Sequence, residues 1–179
     1  RQMSLPRIAH DYLVELSQAT GDTVHLGILD NGRALYLDKI SGSRRIEISS
    51  RIGERQPLRS TGLGKALLLD EPEVALRGVY KREALETPDY RVDEATWMTR
   101  MRGYVEGGYA LDLEENEDRI RCVAAPIRDA SNKIIGSISV SSAAQYMDDA
   151  RMKALTDQVL ATVHAISAEF GWNPSHLKK

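Results

Sequence analysis

One cysteine, Cys122, stands among 179 residues. An internal disulfide is therefore impossible, and a reducing compartment, the cytoplasm, is the expected location. Excess charge of either sign is lacking too. A net charge of -2 and a pI near 6.1 give the chain no whole-molecule attraction to nucleic acid or to a membrane surface. No apolar run reaches the ~18 residues that a membrane-crossing helix needs, and no signal-peptide pattern opens the sequence. Internal repeats and low-complexity segments are missing. The four histidines, His10, His25, His164 and His176, are scattered, and none falls in a metal-binding spacing. No Gly-x-Ser-x-Gly elbow occurs. No metal or cofactor is expected. His25 and His164 read as structural residues. Arg44-Arg45 reads as a solvated basic turn.

An apolar content of 42% is enough for a true core, and the length suits one domain. Leu5, Ile8, Tyr12 and Leu16 recur at helical spacing and predict a helix over 5–19. Gly21 ends it. Two runs rich in β-branched and alternating apolar residues, 23–30 and 33–40, flank Asn31-Gly32. That dipeptide between such runs is the strongest short hairpin signal. Residues 46–51 read as a third strand. A helix over 61–69 and a short one over 72–79 follow, then a polar loop over 81–92. Asp93 caps a helix over 94–106, stopped by Gly107-Gly108. Residues 109–113 are extended, and 114–118 form an acidic turn. Strands over 120–128 and 133–142 make a second hairpin. A helix over 148–170 carries one apolar stripe of Met152, Leu155, Val159, Val163, Ile166 and Phe170. Strands paired as hairpins, with helices not regularly interleaved, define an α+β fold with a mainly antiparallel sheet.

Two stretches could carry chemistry. In the first, Gly53 to Leu69, Pro57 closes an extended segment, and Ser60-Thr61-Gly62 opens a helix. Ser60 or Thr61 can cap it, and Gly62 permits close backbone approach. The first turn then offers free N–H groups to a carboxylate or other small anion. A plain capped helix fits the stretch equally well. Gly64-Lys65 does not make a phosphate loop. Arg59 stands where the first glycine belongs, and Ala66 where the magnesium-binding hydroxyl belongs. Nucleotide hydrolysis is excluded.

The second stretch is Ser137-Ile138-Ser139-Val140-Ser141. Strand alternation puts three hydroxyls on one face and two aliphatic side chains on the other. Cys122 and Ala124 share a face of the preceding strand. If that face joins the serine row, a small polar concavity results. Solvated serines on a half-exposed strand are the alternative. Asp112 is either a surface acid or an acceptor for a ligand hydroxyl. Cys122 lacks a paired base, so a buried thiol fits better than a nucleophile. A small-acid enzyme using Cys122 is the alternative function.

These motifs, in this order, resemble the C-terminal effector-binding domain of IclR-family bacterial transcriptional regulators. Three segments carry the resemblance: Leu35-Tyr36-Leu37-Asp38-Lys39; Ser60 through Leu68; and Gly107-Gly108-Tyr109-Ala110-Leu111-Asp112 through Cys122-Val123-Ala124-Ala125-Pro126-Ile127 to Ile138-Ser139-Val140-Ser141. The match spans nearly the whole chain. It implies a GAF-like fold with a ligand pocket on one side of a curved sheet. It implies a small organic-acid or sugar-acid effector held by Gly62, Leu63, Asp112, Cys122, Ser139 and Ser141. Leu63 departs from the smaller residue often found at its place. The resemblance implies a repressor rather than an enzyme, assembled as a homodimer or homotetramer. DNA would be bound by a winged helix-turn-helix ahead of Arg1, with no membrane involved. The chain does not begin with methionine, so a fragment is expected. Residues 1–20 would end the linker helix, and 21–179 would form the effector-binding domain.

Overall fold

The Asn31-Gly32 turn sets the first hairpin. Both residues take positive φ, 49° and 75°, the geometry that matches the twist of the flanking strands. They join β1 (Thr23–Asp30) to β2 (Arg33–Ile40). A computed structural model of the chain describes residues 4–178. Its other elements are α1 (Leu5–Thr20), β3 (Arg55–Gln56), α2 (Gly62–Leu67), α3 (Glu73–Glu86), α4 (Glu94–Gly107), β4 (Ala110–Leu113), β5 (Ile120–Arg128), β6 (Ile134–Ala143) and α5 (Asp149–Glu169). One antiparallel sheet has the order β3-β2-β1-β6-β5-β4. Residues 1–3 of the expected linker helix, and residue 179, lie outside the described residues.

Alternation assigns the two faces of the sheet. Val24, Leu26, Val123, Ala125, Ile127, Ile138 and Val140 pack with Ala9, Leu13 and Leu16 of α1 and with the Met152–Ile166 stripe of α5. Phe170, just past α5, packs on this core only partly buried. On the opposite face Ala34, Tyr36, Ala110 and Ala124 join Leu63, Ala66 and Leu67 of α2 and Trp97, Met98 and Met101 of α4. The fold is α+β and GAF-like, as expected. Asp93 caps α4 by accepting the Thr96 amide at 2.8 Å. No helix of the described residues is long and apolar enough to cross a membrane.

Three expectations need correction. Residues 46–51 form no strand. Instead of joining a ladder, the carbonyls of Ile48 and Ser50 accept the Lys39 ammonium at 2.5 and 2.7 Å. The edge of β2 is taken by β3, through Ala34–Gln56 and Leu35–Arg55. The segment from 41 to 50 therefore crosses the sheet face. The second correction is to the loop expected over 81–92, whose first half is helical. α3 continues to Glu86 because its polar face has tertiary partners: the buried Glu83 carboxylate accepts the Leu58 and Arg59 amides at 2.9 and 2.8 Å. The third concerns Arg44, which is not a solvated turn residue. It reaches the fully buried side chain of Asp22.

Candidate ligand-binding site

Strand register builds the floor of a cavity from two rows. Asp112, Cys122, Ser141 and Thr23 are successive partners across β4, β5, β6 and β1. Ala110, Ala124, Ser139 and His25 form the next row. The serine row thus does meet the Cys122 face, and it is covered rather than solvated. Ser139 and Ser141 line the cavity. Ser137 does not. Its hydroxyl donates to Leu63 O at 3.0 Å and fastens α2 to the sheet.

α2 closes one side. Thr61, not Ser60, is its cap: Thr61 Oγ1 accepts the Gly64 amide at 3.0 Å and donates to Pro57 O at 2.6 Å. Gly62 is required at this point. A Cβ there would lie 2.8 Å from Cys122 Sγ. The segment leading into α2 is braced by Arg59. Its guanidinium lies against the rings of both Tyr80 and Tyr90 (4.7 and 4.3 Å) and donates to Thr87 O at 2.7 Å. The first N–H groups of α2 have no acceptor within the helix; that of Gly62 is directed at Cys122 Sγ, and Gly62 and Leu63 border the cavity.

All six residues expected at a site, Gly62, Leu63, Asp112, Cys122, Ser139 and Ser141, border this one cavity of about 60 Å³. Ile48, Ser49 and Ser50 roof it, and Tyr36, Asn116 and Glu117 are among its other lining residues. His25, read from sequence as structural, borders it as well. Its Nε2 meets Ser50 Oγ at 2.5 Å, and its ring lies 5.0 Å from that of Tyr36. Pairing β1 with β6 in sequence would have found His25, since it shares a face with Thr23. Nothing in the sequence signalled Ser50 or Asn116, which reach the cavity from irregular segments.

Burial governs the charges. The Asp112 carboxyl is pushed up to about 6 by desolvation, against the pull of Lys65 and of the Glu115 and Asn116 amides. Desolvation and the Lys39 ammonium push His25 down to about 4, so its imidazole is neutral at pH 7. Burial drives the Cys122 thiol upward, and it stays protonated. Beside the cavity, buried Lys65 of α2 donates to Leu111 O at 2.6 Å and pairs with Glu115 at 2.8 Å. Tyr90 donates to the same Glu115 oxygen at 2.5 Å. The cavity therefore offers hydroxyls, backbone groups at the start of α2, a neutral imidazole and the carboxyl groups of Asp112 and Glu117, and its thiol is protonated. Among the described residues no group of three or more His, Cys, Asp or Glu side chains is placed to hold a metal ion.

A curved sheet with a small polar cavity under one short helix defines an α+β ligand-binding domain. The family described as bacterial transcriptional regulator IclR C-terminal matches residues 1–168. The chain belongs to the IclR family of transcriptional regulators and corresponds to the C-terminal part. It is 37% identical over 167 residues to the HTH-type transcriptional regulator XynR of Escherichia coli strain K12, covering 92% of this chain and 66% of that protein. Identity to KdgR of the same organism is 33% over 178 residues, covering 97% and 66%. The crystal structure of Thermotoga maritima IclR superposes with a TM-score of 0.85 at 32% identity, covering 96% of this chain and 70% of that one. This chain thus spans 66% of the length of XynR and of KdgR.

Proposed function

We propose that this chain is the effector-sensing domain of a cytoplasmic, homo-oligomeric repressor. A small organic or sugar acid occupies the cavity, held at one end by the Gly62 and Leu63 amides. Ser139, Ser141 and Asp112 fix its other end, with Cys122 as a compact wall. The observation that carries this reading is the convergence of all six residues on one cavity. The residues are drawn from α2, β4, β5 and β6. DNA is bound by a separate N-terminal part, and α1 forms the end of the connection to it. The effector favours one arrangement of the domain, and a coupling of about 1–3 kcal/mol is enough to change DNA occupancy. A binding role is favoured over an enzymatic one because the lone thiol is buried and protonated.

The test is a thermal-shift screen of the chain against α-keto acids, sugar acids and aromatic acids. A ligand at about 100 times its Kd adds roughly 2.7 kcal/mol of stability. The shift should vanish in both Ser139→Ala and Asp112→Ala. A shift retained in both variants would place the ligand elsewhere. Unchanged DNA affinity of the full-length regulator on adding the hit would sink the sensing role.

A further inference from the structure

The cavity has carboxyl groups but no cation. Asp112 and Glu117 line it, and no lysine or arginine does. The neighbouring cations have partners of their own and do not line the cavity. Lys65 is held by Leu111 O and Glu115, Lys39 by the carbonyls of Ile48 and Ser50, and Arg44 by Asp22. The ionisable groups around Asp112 are Lys65 of α2, Glu115 and Glu117 of the following turn, and Cys122 of β5. Tyr36 of β2, Tyr90 ahead of α4 and Tyr104 of α4 complete the set, with His25 of β1 across the cavity. Among the described residues Lys65 is the cation acting on Asp112, while Arg100 lies 3.7 Å from Glu115, Arg59 acts on Tyr90 and Lys39 on His25.

We propose that the cavity selects acids bearing a single carboxylate and rejects dicarboxylates, with Asp112 and Glu117 setting the limit. The inference rests on reading this cavity as the effector site. One ligand carboxylate can be met by amide and hydroxyl donors. In so small a cavity, a ligand that gives one carboxylate to the start of α2 brings any second carboxylate close to Asp112 or Glu117. No lysine or arginine lines the cavity to meet a second carboxylate, and Lys65 behind Asp112 is already paired with Glu115, so the like charges disfavour ionisation of one member. A hydroxyl in the same place donates to Asp112 instead. Rejection of this kind gives specificity through repulsion rather than added contacts.

Two pairs of acids that differ by one carboxylate test this: pyruvate against oxaloacetate, and lactate against malate. Each is titrated calorimetrically into the chain at pH 7.5. The monocarboxylate of at least one pair should bind at least about tenfold more tightly than its partner. Asp112→Asn or Glu117→Gln should shrink that ratio severalfold. The Asp112→Asn side chain keeps an oxygen that can accept the Glu115 amide, which favours folding of this variant. Should it nevertheless fail to fold, proton uptake by the native chain replaces it. Titrations in phosphate and in Tris should show more protons taken up with the dicarboxylate than with the monocarboxylate. Equal or tighter dicarboxylate binding, a ratio unchanged in both variants, or equal proton uptake overturns the inference and leaves acid sensing intact. Binding by none of the four acids, nor by gluconate or glucarate, overturns both.

Discussion

Asp22 Oδ1 accepts the Arg44 Nε–H at 2.9 Å, and this contact ties the end of α1 to the segment that roofs the cavity. The Asp22 side chain is fully buried. Its other oxygen accepts from Arg151 in the first turn of α5, and both guanidinium groups also donate to Thr20 O, the last residue of α1. Ser43 N–H donates to Gly21 O at 3.1 Å. Six residues beyond Arg44, Ser50 bonds to His25 inside the cavity. A movement of the roof thus has a direct mechanical connection to α1.

Removing Asp22 leaves two guanidinium groups facing each other without their anion. Asp22→Ala should lower stability by about 3 kcal/mol, in the range for breaking a buried ion pair. Arg44→Ala should cost only about 1 kcal/mol, because Arg44 is about one-third exposed and Arg151 still neutralises Asp22. Urea unfolding measures both. Hydrogen exchange in Arg44→Ala should rise across 41–50 and at the end of α1 while α4 stays protected. Unchanged exchange at the end of α1 would disprove the mechanical connection.

Gly62 and Cys122 should be coupled. Gly62→Ala puts a methyl group 2.8 Å from Cys122 Sγ and should cost about 1–3 kcal/mol as an overpacked contact. Cys122→Ala removes the sulfur, and the next nearest atom, Ala124 Cβ, is at a tolerable 3.5 Å. The double variant should therefore be more stable than the sum of the two single changes by at least about 1 kcal/mol in a double-mutant cycle. Additive behaviour would mean that α2 does not sit this close to β5.

The serines of one strand face should separate by role. Ser137→Ala leaves Leu63 O without its side-chain partner in a buried place and should cost about 1–2 kcal/mol. Ser139→Ala removes a cavity hydroxyl and should change melting little in the free chain, while abolishing the shift given by an acid ligand. Melting curves of both variants, with and without ligand, decide this. Equal behaviour of the two would undo the distinction.

Local signals carried much of the fold. Asn31-Gly32 marked the first hairpin, and Asp93 and Gly108 bounded α4, because each sits where a short sequence fixes its own backbone. The alternating serines separated the two faces of β6 correctly, so Ser139, Ser141 and Cys122 could be placed on one surface. What the sequence hid depends on distant partners. Residues 46–51 have strand-like composition, but Lys39 and Arg44 draw the segment across the sheet. α3 runs through polar Arg82 and Glu83 because Glu83 meets amides 24 and 25 residues away. His25 carries no local mark of function. Only its pairing with Ser139 brings it into the cavity.

Asp112 and His25 should give opposite pH dependence to stability. Asp112 is raised from 3.8 to about 6 on folding, so between those values the folded chain binds more protons than the unfolded one. Its contribution is therefore lost as pH rises from about 4 to 6. His25 is lowered from 6.5 to about 4, so across its window the unfolded chain binds more protons, and stability is gained as pH rises. The two windows overlap, and each shift corresponds to about 3 kcal/mol, discounted by whatever relaxation the cavity allows. In the native chain these slopes largely cancel. Asp112→Asn should expose the histidine: such a variant gains stability relative to the native chain at pH 7, by about 2–3 kcal/mol, and loses that advantage by pH 4. His25→Gln should show the reverse, with its stability relative to the native chain greatest at pH 4. Chemical denaturation of the three proteins from pH 4 to 8 provides the comparison. Parallel curves for the native chain and both variants would mean that neither group is held in the protonation state described for this cavity.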